Sequence, residues 1–332
     1  MIQHKLLKHK AAGHDGTLTD DDELLVFKPA TTQELDFYKS VQERTFNNTR
    51  ATDGDVPLYS WMPTFLGVLD EGLREVPESA CAISSEKHIG DQAMNKSSKC
   101  QRSKYIVLEN LLHGFHKPNI MDVKLGKILH DENASNEKMS RLGQVSRTTT
   151  SGSLGFRICG MKIQHNKQAG ELESSHFEQS GDGYIFVNKN FGYSLKKQNI
   201  KDAFKMYFAN DSLSPRRVWQ LKHTFLQRLQ LLYNTLLEEE VRMVSSSLFF
   251  VYEGDNDRWD ALDDQDTLIR DSFLDSDEES EDDEEQDLQK TPLSSLSLID
   301  FAHSKLVDGK GYDENVVDAV ENMMELFQDL CN

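Results

Sequence analysis

The nonapeptide Pro118-Asn119-Ile120-Met121-Asp122-Val123-Lys124-Leu125-Gly126 constrains this chain more than any other segment. Met121, Val123 and Leu125 alternate with Ile120, Asp122 and Lys124, and that period of two predicts a strand with Asp122 and Lys124 on one face. Opposite charges on one face, backed by an apolar face, suit a site that handles both a hydroxyl and an anion. Asp-x-Lys alone is common and usually marks a surface ion pair, so the remainder of the chain must decide between the two readings.

With 332 residues the chain can form one large domain or two lobes. Its formal net charge is −19, but residues 271–287 hold eleven acidic side chains and no basic ones, and without them the chain carries −8. The whole-chain value looks hostile to nucleic acid, and direct nucleic-acid binding is not expected, but so uneven a spread makes it a poor guide to the active surface. Cys81, Cys100, Cys159 and Cys331 are scattered, with no Cys-x-x-Cys pair or Cys/His metal spacing, as in a reducing compartment and unlike a zinc site. Met1–Lys8 lacks the apolar run of a signal peptide, and no stretch is long enough to span a bilayer; a soluble intracellular protein is expected.

Leu24-Leu25-Val26-Phe27 predicts a buried strand stopped by Pro29, followed by a helix capped by Thr31 or Thr32 with Leu35, Tyr38 and Val41 inward. Tyr59–Leu69 reads as an extended segment broken by Pro63 and Gly67, and Tyr105–Glu109 as another strand. Between them, 74–104 has the composition of a disordered insertion. Further on, a helix is expected over 134–142, a strand over 154–163, a polar loop over 165–182 and a helix over 214–243, capped by Ser214 with Pro215 in its first turn. Ser247–Tyr252 and Leu296–Phe301 read as ordered apolar runs, 271–290 as an acidic disordered tract, and a last helix starts near Asp313.

Phosphoryl transfer from ATP needs a cation on the nucleotide phosphates, a carboxylate on magnesium, and a hydroxyl held in line. Lys28 ends its strand as a kinase phosphate-binding lysine does, and Glu34, six residues on, can orient it; a strand-end lysine in solvent would look the same. Gly13-His14-Asp15-Gly16-Thr17 could close over phosphates or simply make a turn. Asp300 follows the apolar run 296–299 and precedes Phe301, like the magnesium-binding Asp-Phe-Gly of protein kinases, or like any strand-end Asp that caps a turn.

Taken together, five segments in order resemble the inositol polyphosphate kinase family: the Gly13–Gly16 loop, Phe27-Lys28-Pro29, the Pro118–Gly126 signature (P-x-x-x-D-x-K-x-G), Ser153–Met161, and Ile299-Asp300-Phe301-Ala302-His303. Ala11–Thr17, Glu238–Met243 and Gly309–Asn315 resemble in particular its fungal multikinase branch, also described as regulators of arginine metabolism. The resemblance implies an α+β, bilobal kinase-like fold: an N-terminal lobe over 1–110 with an antiparallel sheet and a helix, and a larger α+β C-terminal lobe over 111–332, with ATP in the cleft between them. It implies that Lys28 binds the ATP phosphates, that Asp300 holds Mg2+, and that Glu109 and Leu111 form the adenine hinge. Asp122 is then beside the ribose and reaction centre. Lys124, Lys138, Arg141, Lys189 and His303 would bind inositol phosphate, although an uncharged residue often stands at the position of Arg141.

Only 26 residues, 127–152, separate Gly126 from Ser153 and must contain the substrate-binding element. Related trisphosphate 3-kinases carry a longer insertion there, so a short element leaves an open pocket and favours a multikinase. The expected reaction is Mg-ATP-dependent conversion of inositol 1,4,5-trisphosphate, through a tetrakisphosphate, to the 1,3,4,5,6-pentakisphosphate, with a phosphoinositide lipid as a further substrate. The rivals are a single-position trisphosphate kinase and a non-catalytic co-regulator that binds basic partners through the acidic tract. The fungal resemblance implies MADS-box transcription factors as partners, transcription regulation, and a nuclear as well as a cytoplasmic location.

Overall fold

The computed structural model describes residues 5–6, 16–47, 56–70, 104–271, 273 and 291–332. The N-terminal part holds β1 (Lys5–Leu6), β2 (Leu18–Thr19), β3 (Leu25–Pro29), α1 (Thr32–Asn47), a 3-10 turn Leu58–Trp61, β4 (Phe65–Asp70) and β5 (Lys104–Glu109). These strands form an antiparallel sheet in the order β1-β2-β3-β5-β4. Thr31 makes the cap of α1, accepting the Glu34 N–H at 3.1 Å. Leu35, Phe37, Tyr38 and Val41 then form the helix's buried face.

The larger part contains β6 (Pro118–Leu125), α2 (Asn136–Thr148), α3 (Thr150–Leu154), β7 (Phe156–Gln164), α4 (Lys167–Gly170), β8 (Phe177–Gln179) and β9 (Tyr184–Val187). It continues with α5 (Lys189–Ser194), α6 (Ile200–Phe208), α7 (Pro215–Glu238), β10 (Val241–Met243), β11 (Ser247–Glu253), α8 (Asn256–Ala261), β12 (Ser294–Ile299), β13 (Ser304–Leu306) and α9 (Glu314–Cys331). Six strands make a second antiparallel sheet, β12-β11-β6-β7-β9-β8, and β10 pairs with β13. The fold is α+β and two-lobed, as expected from the sequence.

Strand β6 lies in the interior of its sheet and its alternation sorts two environments. Met121, Val123 and Leu125 are fully buried in the main core, whereas Ile120 joins a separate apolar cluster with Val251, Leu112, Phe115 and Phe249. The core face is filled largely by α7 and α9: Phe225 meets Phe250 at 5.2 Å between ring centroids, and Phe250 stacks on Phe327 at 5.8 Å. Each such aromatic pair contributes about 0.5–1.5 kcal/mol beyond its buried area. The two lobes are tied by Trp61, whose indole N–H donates to Thr235 Oγ1 at 3.1 Å, and by Phe301, which stacks on Phe37 at 5.0 Å and meets Tyr38 edge-on at 5.3 Å.

Several sequence boundaries move. The strand expected from 154 starts at Phe156, because Leu154 ends α3 and Gly155 turns the chain at φ +75. Within 165–182 the structure has α4, capped by Asn166 accepting the Ala169 N–H at 2.9 Å, and β8, which pairs with β9. The helix expected over 214–243 stops at Glu238, because Val241–Met243 pair with β13 instead. The helix expected over 134–142 runs over Asn136–Thr148. Lys104, placed in the insertion 74–104, begins β5 opposite Asp70. The rest of that insertion, most of 271–290 and Gly13–Asp15 lie outside the described residues.

Candidate active site

The floor of the cleft is a row of residues facing one another across three strand pairs. Ile299 of β12 pairs with Ser247 of β11, Ser247 with Lys124 of β6, and Lys124 with Arg157 of β7; one step along the sheet, Phe249 pairs with Asp122 and Asp122 with Gly160. Residues opposite one another share a face, so Asp122, Lys124, Ser247 and Arg157 all open on the side away from the main core. The register shifts between Asp122 and Val123, because Cys159 is an extra residue in β7. Such a bulge reverses the parity of the strand: Phe156 and Ile158 point to the core before it, Met161 and Ile163 after it.

Asp300 follows β12 directly and adopts a left-handed backbone, φ +64, which Asp tolerates better than most residues. The turn brings its Oδ1 to 2.7 Å from Lys28 Nζ, and Lys28 also donates to Glu34 Oε1 at 2.7 Å. Helix α1 therefore performs two tasks. Its Glu34 orients the lysine, and its Phe37 and Tyr38 anchor the Phe301 that follows Asp300. Burial opposes the charge on Lys28, but Asp300 and Glu34 outweigh it and hold the ammonium's pKa above its usual value.

Asp122 is buried, and its Oδ1 has no hydrogen-bond partner among the described residues. Burial, and then the charge of Asp300, push its carboxyl up to about 6, against the pull of Lys124 and Arg157. Lys124 donates to the carbonyl of Ser245 at 2.7 Å. That serine sits in a tight turn at φ +60, and its hydroxyl donates to the Leu129 carbonyl at 3.0 Å. Cys159 lies beside Asp122, and burial pushes its thiol up to about 11, which keeps it protonated.

The loop between β6 and α2 is pinned to the C-terminal segments. Asn315 Oδ1 accepts the N–H groups of Lys127 and Ile128 at 2.7 and 2.9 Å. Gly126 makes this possible: it has φ +96, and a Cβ there would lie 2.4 Å from Asn315 Nδ2. Asp131 in the same loop pairs with His303 Nδ1 at 2.6 Å, and Glu132 pairs with Lys305. The loop between β6 and α2 and the segment after Asp300 are thus fastened to each other.

Of the residues expected from sequence, Lys28, Asp122, Lys124 and Asp300 come together, with His303 three residues beyond Asp300. Lys138 and Arg141 share a face of α2, and exposed Lys189 begins α5; among the described residues none of the three makes an ion pair with that group. Glu109 ends β5 of the first sheet. Its side chain accepts the Thr64 N–H and hydroxyl at 3.1 and 2.8 Å and pairs with Arg270 at 2.7 Å, while Arg270 also donates to the Met62 carbonyl. Leu111 follows in the connecting turn, next to the apolar cluster of Leu112, Phe115 and Ile120. Sequence reasoning missed Arg157, Asp131, Ser245 and Arg270. Arg157 stood inside a quoted motif, but the bulge hides its parity; the other three act through contacts distant in sequence.

Asp122 and Asp300 are two carboxylates within electrostatic reach of each other, one with an unpartnered buried oxygen. Among the described residues no group of three His, Cys, Asp or Glu could hold a metal. One or two carboxylates completed by nucleotide phosphates is the donor set that suits magnesium, so the residues fit that ion.

The sequence profile of the inositol polyphosphate kinase family matches residues 105–328. The inositol polyphosphate multikinase of Saccharomyces cerevisiae is 53% identical over 98% of each chain, and that of Schizosaccharomyces pombe 31% identical over 75% of this chain and 79% of its own. A crystal structure of the S. cerevisiae inositol phosphate multikinase Ipk2 with ADP and Mn2+ superposes with a TM-score of 0.74 at 50% identity, covering 93% of this chain and all of that one. A lysine–glutamate pair, a strand-end aspartate beside it and the Asp122–Lys124 strand are therefore seen here in a chain that belongs to the inositol polyphosphate kinase family.

Proposed function

We propose that this chain is an ATP- and Mg2+-dependent inositol polyphosphate multikinase. Its reaction carries inositol 1,4,5-trisphosphate through a tetrakisphosphate to inositol 1,3,4,5,6-pentakisphosphate. The observation that carries the reading is the Glu34–Lys28–Asp300 chain of 2.7 Å contacts, which ends one residue beyond the cross-strand row Ile299–Ser247–Lys124. The relatives' names and the ADP and Mn2+ bound by the S. cerevisiae structure support it.

In this reading Asp300, faced by Asp122, would hold the magnesium ion, which when bound offsets charge on the β- and γ-phosphates. Lys28, steadied by Glu34, binds the nucleotide phosphates, and the backbone at Glu109 and Leu111 takes the adenine. Asp122, poised near 6, accepts the proton of the attacking inositol hydroxyl, a pKa close to working pH being the favourable one for that task. Lys124 sets the acceptor in line, and Lys138, Arg141, Lys189 and His303 hold its other phosphates. The short element 127–152 supports an open pocket in which a partly phosphorylated product can rebind in a new orientation. The same openness would admit a phosphoinositide headgroup.

The test is a time course with Mg-ATP and inositol 1,4,5-trisphosphate, with products resolved by anion exchange. Tetrakisphosphate should rise and fall as pentakisphosphate accumulates; arrest at tetrakisphosphate would make this a single-position kinase.

A second role rests on the eleven acidic side chains of 271–287. They suit a basic partner, and the fungal resemblance points to MADS-box transcription factors, transcription regulation and a nuclear as well as cytoplasmic pool. Deleting 274–290 should leave turnover intact and abolish salt-sensitive binding to such a partner. Unchanged binding would remove this role.

A further inference from the structure

Four arginines among the described residues are buried: Arg157, Arg217, Arg228 and Arg258. Three are saturated by protein. Arg228 donates to the Leu268 and Ser294 carbonyls, to Ser294 Oγ and to Asp266. Arg217 binds Asp264, Asn256 and Asp260, and Arg258 binds Glu253 and the carbonyls of Thr291 and Pro292. Arg157 differs. It is 7% exposed, and among the described residues neither its Nε nor its Nη1 has a hydrogen-bond partner. Burying a charged group with open donors is costly, so a guanidinium so placed requires another explanation than structural support.

Its surroundings supply one. Arg157 pairs across the strands with Lys124 and lies close enough to Asp122 to lower that carboxyl's proton affinity. The guanidinium carbon stands 4.5 Å from the ring centroid of Tyr193, on α5. The approach of α5 to β7 is close: Gly192 leaves no room for a Cβ, which would lie 1.9 Å from the Ile158 carbonyl. Tyr193 is thereby fixed as a plate for Arg157, a stacking that holds the planar fork while leaving its N–H groups for an acceptor.

We propose that Arg157 binds a phosphate group of the inositol substrate, and that Tyr193 is the positioning residue that holds it for that purpose. The row Ile299–Ser247–Lys124–Arg157 separates Arg157 from the strand leading to Asp300 by three strand spacings, about 14 Å. That puts it on the acceptor side of Lys124, away from Lys28 and the nucleotide phosphates. A fork of parallel N–H donors suits a phosphate better than a lysine does.

The inference rests on the kinase reading above, so the wild-type protein must first turn over inositol 1,4,5-trisphosphate; failure there would count against that reading. Given an active wild type, Arg157→Gln should raise KM for inositol 1,4,5-trisphosphate by about tenfold or more, leave KM for ATP within about twofold, and not lower the melting temperature. Calorimetric titration of inositol 1,4,5-trisphosphate without nucleotide should show the same loss. A parallel rise in KM for ATP would assign Arg157 to the nucleotide and overturn the proposal. Unchanged affinity for the inositol phosphate would overturn it as well. If Arg157→Gln does not fold, Tyr193 decides: Tyr193→Ala should raise the inositol phosphate KM about threefold and Tyr193→Phe should not, because the ring face is kept. Equal KM values in wild type and Tyr193→Ala would also defeat the proposal.

Discussion

Lys28 and Asp300, 272 residues apart in sequence, meet at 2.7 Å between Nζ and Oδ1, and Glu34 holds the same ammonium at 2.7 Å. The contact joins the first sheet to the end of β12, at the place where the proposed reaction would hold the nucleotide phosphates and a divalent ion. Neutralising the carboxylate should end catalysis without disturbing the packing, since Phe301 supplies the local anchoring. Asp300→Asn is predicted to lower kcat by about a thousandfold with a melting temperature near that of the wild type. Steady-state rates and thermal melts check this, and retention of a tenth of the wild-type activity would remove Asp300 from the metal site.

Asp122 predicts a pH-dependent stability of definite sign. Its carboxyl is raised from 3.8 to about 6 in the folded chain, so the folded state binds the proton more tightly than the unfolded one. Stability from this group is therefore present below about pH 4 and is lost as pH rises toward 6, by on the order of 2–3 kcal/mol. Asp122→Asn removes the loss: at pH 7.5 it should melt about 2–4 °C above the wild type, and near pH 4 the gap should close. Turnover should nonetheless fall steeply. An Asp122→Asn protein less stable than wild type at pH 7.5 would contradict the picture of a buried, poorly solvated carboxylate.

Gly126 closes the signature because of Asn315. The residue has φ +96, and any Cβ would enter the space of the Asn315 amide that holds Lys127 and Ile128. Gly126→Ala is predicted to destabilise the chain by about 1–3 kcal/mol and to raise KM for the inositol phosphate more than for ATP. Chemical denaturation and paired KM measurements test it. An unchanged inositol phosphate KM would show that the pinned loop does not shape the substrate pocket.

The 2.6 Å contact between Asp131 and His303 ties the loop between β6 and α2, the proposed substrate element, to the segment that carries Asp300. Asp131→Asn keeps the shape and removes the charge. It should raise the inositol phosphate KM about three- to tenfold with little change in KM for ATP. If the two constants rise together, the pair serves the fold and not the acceptor.

The central strand, the lysine at the end of β3 and the aspartate after β12 were legible in sequence because each rests on local chemistry. Period-two alternation places Asp122 and Lys124, Pro29 stops β3 beside Lys28, and an apolar run ends at Asp300. Helix α7 was legible from its stripe of Leu221, Phe225, Leu229, Leu232 and Leu236, except at its end, where pairing between β10 and β13 overrides the periodicity. What sequence could not supply are the partners. The bulge at Cys159 changes which residues of β7 face the cleft, and it depends on register against β6. Asp131 with His303, Ser245 with Lys124, and Arg270 with Glu109 are each separated by more than a hundred residues. No local pattern announces such pairs.

In the proposed mechanism one open pocket, with Lys124 at its centre, serves successive phosphorylations. The most direct measurement is the rate of each step in Lys124→Ala, with inositol 1,4,5-trisphosphate and with the tetrakisphosphate supplied separately. Both rates should fall together, by about a hundredfold or more. Loss of one step with the other preserved would contradict a shared pocket.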